Sequence, residues 1–492
     1  MTVLAYTAEK IRALERAVMA VEGDDVLMQR AAAGLAVSAL DLLHTTRGAA
    51  YGARVVVLAG TGNNAGDALF AGARLARRGV RVLAVACLDR THEAGLAALL
   101  AAGGSVRTLA ELTLDDLGAR PRPSVDLFVD AMLGIGGRAG LTGPLETAAA
   151  ATERWGIPVL AVDLPSGVDT DTGAVPGRVI QATRTVTFGA LKPCHLIEPA
   201  RSLCGEIEVV DIGLGAGDAD VLPDLHAMTY DDLALAWPYP DTDSDKYSRG
   251  VVGIDTGSNT YPGAAVMGTY GAVYAGAGMV RFLGADRPAQ IIGAQLPNVV
   301  FSPGRVQANL FGSGWGDHDG GRDILARAAK NALPAVVDAD GLRYLPDRCP
   351  DNWLLTPHAG ELAKLLGQER AEVEGDPLRA VRAGAEQTGA TVLLKGATQL
   401  VARPDRDEVL VALPGPSWTA QAGSGDVLGG VCAALLAAGE SPHHAAVLGA
   451  SAQAAAAAAH PGGVPPQDLA RAVGPLLADL QRRRDKLAGP YR

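Results

Sequence analysis

The stretch GSGDVLGG, residues 423–430, sets one carboxylate, Asp426, among glycines at the head of an apolar helical run from Val431 to Ala438. Glycines let backbone N–H groups turn toward one point, and a helix N-terminus adds positive potential there. That makes an anion site with a carboxylate beside it. The pairing suits a base that deprotonates a hydroxyl about to meet phosphate. On these residues alone, a Gly-rich turn with an Asp cap is the plain alternative.

Other residues of the second half could serve the same chemistry. LLKGATQ (393–399) ends an apolar strand with Lys395, a compact charge suited to phosphate. LLTPHAGE (354–361) places His358 and Glu361 just before a helix, where His358 could equally be a loop histidine bonded to backbone. VVDADGL (336–342) ends a strand with Asp338 and Asp340. GSNTYPGAAV (257–266) puts Ala264 at a helix start, and FGSGWG (311–316) is a flexible loop around Gly314. A glycine anion hole, a basic residue, an adjacent Asp and acidic strand ends together describe phosphoryl transfer from a nucleotide. GxxxxGK[ST] is absent, which excludes a P-loop. HRD and DFG are absent, which excludes a protein kinase.

The first half carries a second set. GTGNNAGDA (60–68) follows a strand and opens a helix. It is not GxGxxG, so ordinary dehydrogenase binding is a weak reading. Asp130 closes a strand before AMLGIGG (131–137), and Asp163 closes another in DLPSGVDTDTG (163–173). Asn64, Asp130 and Ser166 could offer oxygens to a monovalent or divalent cation. Asp163 could be a general base, or a ligand to a sugar or amide. Lys192, in FGALKP, could supply a positive charge. Each of these aspartates could also be a simple loop cap; four polar strand ends together favour a site.

The elements that must position these residues are legible in outline. Residues 9–45 read as helices. RVVVLAG (54–60), RVLAVACL (81–88), VDLFVDAML (125–133), PVLAVDLPSG (158–167), TRTVTFG (183–189) and EIEVVDIG (206–213) read as strands, with a helix from Ala68 to Arg78. The pattern restarts with VVGIDTGS (251–258) and runs through PAVVDADGL, NWLLTPHAGELAKLL and TVLLKGA to the GSGD helix. Strands alternating with helices argue for doubly wound parallel sheets, whose carboxyl ends hold ligands. We expect an α/β protein of two three-layer αβα domains. The boundaries are 1–220 and 246–492, with a Gly-, Pro- and Asp-rich connector over 221–245.

Composition narrows the class. With 48% hydrophobic and 20% charged residues in 492, the chain has enough apolar content for two globular cores. A net charge of −11 argues against a general nucleic-acid binder. The 5 cysteines show no CxxC spacing and read as reduced, mostly buried thiols. No run reaches the length of a membrane span, and the N-terminus lacks a signal-peptide core. A cytoplasmic enzyme is expected, with no membrane or nucleic-acid partner, as a homo-oligomer.

NNAGD, DAMLGIGG, AVDLPSGVDTDTG and TVTFGALKP, in this order, resemble the YjeF N-terminal domain, over roughly residues 1–215. The resemblance implies a Rossmann-like fold that interconverts the R and S hydrates of NADH and NADPH (NADHX and NADPHX). It implies K+ near Asn64, Asp130 and Ser166. It implies substrate contacts from Asn63, Asn64, Ala65, Gly66 and Asp67, from Gly134, Ile135, Gly136, Gly137, Arg138, Ala139 and Gly140, and from Asp163, the proton-handling group. The family usually has Gly where Ala65 and Ala68 stand. If those positions need positive φ, each Ala costs about 1 kcal/mol.

TPHAGE, KGATQ and AGSGDVLGG resemble the YjeF C-terminal domain of the ribokinase superfamily, over about residues 245–485. It is a nucleotide-dependent dehydratase of the same hydrates. The resemblance implies that Asp426 takes the hydroxyl proton while the N–H groups of 423–426 hold the phosphoryl group. Lys395, Gly396, Ala397, Thr398, Gln399 and Gly425 would bind ADP or ATP with Mg2+. Ala264, Gly314, His358 and Asp426 would face the hydrate. Gly312-Ser313-Gly314 stands where Gly-Pro-Gly is common, and Gln399 where Thr is common. The competing expectation is a small-molecule kinase with a non-catalytic first domain.

Overall fold

The computed structural model describes residues 3–23, 25–111, 125–154, 156–217 and 221–488. They form two compact units, one spanning Leu4–Asp224 and the other starting at Leu225. The strands, in chain order, are β1 (Val3–Ala5), β2 (Arg54–Ala59), β3 (Arg81–Ala86), β4 (Ser105–Thr108), β5 (Leu127–Ala131), β6 (Val159–Val162), β7 (Arg184–Phe188) and β8 (Glu206–Val210). They continue with β9 (Leu225–Ala227), β10 (Val251–Asp255), β11 (Met279–Phe282), β12 (Ala308–Phe311), β13 (Ala335–Val337), β14 (Trp353–Leu355), β15 (Thr391–Leu394), β16 (Leu400–Arg403) and β17 (Arg406–Val411).

The first unit is built on a parallel sheet in the order β4-β3-β2-β5-β6-β7-β8. Alternate residues of β2 enter different cores. Val55, Val57 and Ala59 pack with Leu35, Leu42 and Leu69, while Val56 and Leu58 pack with Ala148, Ala149 and Ala151. A strand buried on both faces reads as a continuous apolar run, and helices must cover both sides. The order reverses at β2/β5, the crevice where a doubly wound sheet opens for ligands.

In the second unit β10 to β14 pair in parallel in the order β14-β13-β12-β10-β11. β15 joins β14 in parallel, then β16 and β17 turn antiparallel. The stretch 221–245 contributes β9, parallel to β17, and the helix Tyr230–Ala236. The helices Pro262–Tyr274 and Ser424–Ala437 cross at close range. A Cβ on Gly271 would stand 2.2 Å from the Val427 carbonyl oxygen, and one on Gly430 2.0 Å from that of Gly268. Only glycine fits either position.

Two boundaries differ from expectation for one reason. The Gly/Asn segment after β2 is not a loop that precedes a helix at Ala68; the helix starts at Asn63 and runs to Ala76. Likewise the helix expected at GSGD, read from its apolar run at Val431, already starts at Ser424 and runs to Ala437, with Gly423 as its cap at φ 93°. Polar and glycine residues look like loop, yet at a helix start they leave orphan amides free. Ala65 and Ala68 are therefore helical, and neither has a positive φ. The expected strain of Ala at these positions does not exist. The strained residue of this region is Asp163, at φ 68°.

The helix Asp25–Arg47 is long and apolar enough to cross a membrane by length and composition, contrary to the expectation that no segment is. Half of its apolar window is buried within the unit, where Leu35, Leu42 and Leu43 enter the core. All five cysteines are free and buried.

Two candidate active sites

The first site lies at the carboxyl ends of β2, β5, β6 and β7. Asp130, at the end of β5, is completely buried. Its Oδ1 accepts from the Ser166 hydroxyl at 2.6 Å and its Oδ2 from the Ser166 amide at 2.8 Å. Burial pushes this carboxyl up to about 6 against those hydrogen bonds, which lower it. Among the described residues its hydrogen-bond partners, Ser166 and the Met132 amide, are neutral, and no cation pairs with it. The Asn64 amide bonds the carbonyls of Leu133 (3.1 Å) and Val162 (2.6 Å). Asn64, Asp130 and Ser166 thus meet around Leu133, as their spacing suggests. The Asp130 carboxylate and the Ser166 hydroxyl offer oxygens of the kind a hard cation takes, while the Leu133 and Val162 carbonyls accept from the Asn64 NH2 group.

Asp163 sits one strand over, held in its left-handed conformation by a dense network. Its Oδ1 accepts from Lys192 Nζ at 2.5 Å and from the Thr187 hydroxyl at 3.0 Å. Lys192 is fully buried. The Lys192 amide donates to His195 Nδ1 at 3.0 Å, so the His195 proton is on Nε2, which bonds the Asp163 carbonyl at 2.9 Å. Burial beside Lys192 holds His195 down at about 3, in its neutral form. Asp67 and Glu15 face this pair electrostatically. Asn63, Gly136, Gly137 and Arg138 are exposed, whereas Ala65, Gly66 and Asp67 are buried. Arg12 donates to the Ile135 carbonyl at 3.1 Å and so reaches the 134–140 loop. Arg12 and Glu15 belong to the helix Ala8–Glu22; nothing in their local spacing marks them, since the fold alone brings them here.

The second site forms where β13, β15 and the Ser424–Ala437 helix converge. Lys395, at the end of β15, places Nζ 2.5 Å from Asp338 Oδ1. Asp338 also accepts from the Thr356 hydroxyl at 2.8 Å and from the Ser313 hydroxyl at 3.1 Å. A Cβ on Gly425 would stand 3.3 Å from Lys395 Nζ, so the lysine lies against the helix's first turn. The Gly425 and Asp426 amides in that turn lack an intrahelical acceptor. Asp426 is pushed up to about 6 by burial and by the Asp338 carboxylate, with Ser313 and Lys395 pulling the other way. Burial pulls the Lys395 ammonium down, but Asp338, Glu361 and Asp426 outweigh it and raise it.

Ala264 and Gly314 also meet. A Cβ on Gly314, at φ 67°, would stand 2.8 Å from the Ala264 Cβ. Residues 396–399 form the hairpin between β15 and β16, with Gly396 and Ala397 exposed. His358 caps the helix Ala359–Leu366: its Nδ1 accepts from the Gly360 and Glu361 amides, and Glu361 accepts from the His358 amide at 2.9 Å. Its ring edge stays exposed, and its backbone bridges to Lys395. Asp338 and Ser313 are the contributors that motif spacing did not assign. Asp338 is visible as an acidic strand end, but its pairing with Lys395 depends on which strands are neighbours.

A family model described as NAD(P)H-hydrate dehydratase matches residues 252–473, and one described as YjeF-related protein N-terminus matches residues 24–194. The chain is 42% identical to the bifunctional NAD(P)H-hydrate repair enzyme Nnr of Mycobacterium tuberculosis, over 88% of this chain and 89% of that one. It is 41% identical to that of Mycobacterium leprae, with the same coverage, and 34% identical to that of Escherichia coli, over 80% and 78%. Both signatures lie in one polypeptide here, in the same order as their two sites. The chain belongs to the family of bifunctional NAD(P)H-hydrate repair enzymes.

Proposed function

We propose that the first unit interconverts the R and S hydrates of NADH and NADPH and that the second returns the S hydrate to the reduced cofactor at the expense of ADP or ATP. The observation that carries the second half is Asp426 at a helix N-terminus beside the Lys395–Asp338 pair. Hydroxide is a poor leaving group from the carbon next to the ring nitrogen. Asp426 takes the hydroxyl proton as the oxygen attacks the terminal phosphoryl group of the nucleotide. The first-turn amides stabilise the charge on that group in flight. Phosphate then leaves as the ring nitrogen lone pair pushes it out, and loss of the neighbouring proton restores the dihydronicotinamide. Lys395 and the 396–399 hairpin orient the nucleotide. Mg2+ on the nucleotide would neutralise phosphate charge. Among the described residues no cluster of three His, Cys, Asp or Glu side chains offers it a cage, which fits an ion carried chiefly by phosphates and water.

In the first unit Asn64, Asp130 and Ser166 would hold K+, which would supply a positive charge beside the substrate. Asp163 is the proton-handling group, with Lys192 and Thr187 holding one oxygen and leaving the other to the hydrate. The buried, reduced cysteines suit a cytoplasmic setting.

Incubation with mixed hydrates, with and without ADP or ATP, tests both halves. Reduced-nicotinamide absorbance with stoichiometric phosphate is expected, running to completion on both epimers. A stable phosphorylated product would instead make the second unit a kinase. A halt at half conversion would remove the epimerase.

A further inference from the structure

A cavity of about 430 Å³ opens in the second unit where the strands β9, β17 and β16 meet the helices Tyr230–Ala236 and Pro442–Ala459. That is room for a small ligand, whose sites usually measure roughly 300–1,000 Å³. The cavity is not part of the second active site. The helix Pro442–Ala459 borders it at His443 and meets the catalytic helix only at Gln453, whose amide donates to the Ser424 carbonyl at 2.8 Å. Ten residues of helix set those two points ~15 Å apart.

Its depth is apolar and its mouth is basic. Val401 and Leu448 are buried, Arg403 and His443 are half-buried, and Arg406 and His444 are exposed. Arg403 and Arg406 stand directly opposite each other on the β16/β17 ladder, where like charges repel. Asp405 answers only the first of them, accepting from Arg403 Nε and Nη2, each at 2.6 Å. The remaining Nη1 faces His443 Nε2 at 3.3 Å. Among the described residues the Arg406 guanidinium has no ion pair. The acids of the lining are already engaged. Asp232 accepts from the Thr229 hydroxyl and amide, and Glu408 stands 3.5 Å from His226 Nδ1.

We propose that this cavity binds a small organic anion, a phosphate or carboxylate head on an apolar body, at a site separate from that of nucleotide and hydrate. The head would sit between Arg406 and the Arg403–His443 pair, where charge-assisted hydrogen bonds offset the cross-strand repulsion. The body would cover Val401 and Leu448 and release water from them. The balance of charge at the mouth agrees. Burial, His444, Arg403 and Arg406 hold His443 down at about 4, with Asp405 opposing them.

The test is calorimetric titration of the full chain with four probes: phenyl phosphate, benzoate, benzylamine and inorganic phosphate. Phenyl phosphate and benzoate should bind, the tighter of the two identifying the head. Benzylamine should not bind, and inorganic phosphate should bind at least ~10-fold more weakly than phenyl phosphate. Arg406→Gln and His443→Gln should each weaken phenyl phosphate at least ~10-fold, the effect of losing one charge-assisted hydrogen bond. Arg406→Lys should restore part of the affinity. Arg406 is exposed, so its variants should melt with the wild type when no probe is present, and dehydration turnover should be unchanged. Phenyl phosphate binding that is equal in wild type and both Gln variants places the probe elsewhere and overturns the proposal. Absence of binding by both organic anions, or equal binding of benzylamine, also overturns it.

Discussion

Lys395 Nζ lies 2.5 Å from Asp338 Oδ1, so the lysine that would meet nucleotide is already neutralised by a buried carboxylate. Removing one member of such a pair strands the other as an unpaired charge, at about 3–5 kcal/mol. Lys395→Met should therefore lower the melting temperature of the second unit by roughly 10 °C. Asp338→Asn in the same chain should recover part of it. Calorimetry of the single and double variants checks this; an unchanged transition in Lys395→Met would mean the pair is not structurally coupled.

Asp426 must be ionised to act as a base. With its carboxyl at about 6, dehydration kcat/KM should rise with pH through that value and level off above it. Ser313 holds this carboxyl down, so in Ser313→Ala the midpoint should move to higher pH. Asp426→Asn should abolish dehydration while nucleotide binding, measured calorimetrically, stays close to wild type. The stability sign runs opposite to activity. The folded carboxyl is raised above its usual 3.8, so its contribution is present below that value and lost as pH passes about 6. At pH 8 Asp426→Asn should accordingly be the more stable protein, by roughly 1–3 kcal/mol.

Asp163→Asn should stop epimerisation and leave dehydration of pure S hydrate intact. It also leaves Lys192 buried without its counter-charge, which should cost the first unit about 3–5 kcal/mol. Asp163→Asn combined with Lys192→Met should regain stability without regaining activity. Restored epimerisation in that double variant would remove Asp163 from the chemistry.

Replacing Ala65 by glycine, the residue common in the family, ought to destabilise the first unit by about 1 kcal/mol, because the position is helical and buried. Denaturant unfolding gives the sign directly. A gain in stability would mean that a strained backbone had been relieved.

Asp130 should draw K+ once it is ionised, above about pH 6. In 100 mM KCl, against choline chloride at equal ionic strength, the first unit should melt several degrees higher at pH 8 if K+ is near 100-fold above its Kd, which is worth about 2.7 kcal/mol. The difference should shrink at pH 5 and disappear in Asp130→Asn. Equal transitions in both salts at pH 8 would count against the cation site.

Much of both sites was legible because their residues stand at strand ends, and the strands announce themselves by apolar runs such as RVVVLA and RTVTF. The helix starts were less legible. Asn63 and Ser424 sit in Gly- and Asn-rich segments that look like loops, and only the exposed amides of a helix's first turn explain such composition there. What the sequence could not show are the partners made by sheet order. Asp338 meets Lys395 because β14 lies between β13 and β15 and both chain ends point the same way. Glu15 reaches the Asp163 cluster only through the packing of a helix far away in the chain.

The crossing of the Pro262–Tyr274 and Ser424–Ala437 helices joins the Ala264 side of the second site to the Asp426 side. Gly271 and Gly430 form that seam, with no room for even one added carbon. A scan of substitutions scored by turnover would therefore rank these two glycines beside Asp426 itself. Neither has any chemistry to lose. What they protect is alignment: the Ala264 and Asp426 ends of the two helices are fitted to one another across a joint with no play, and a methyl group there would act as a shim.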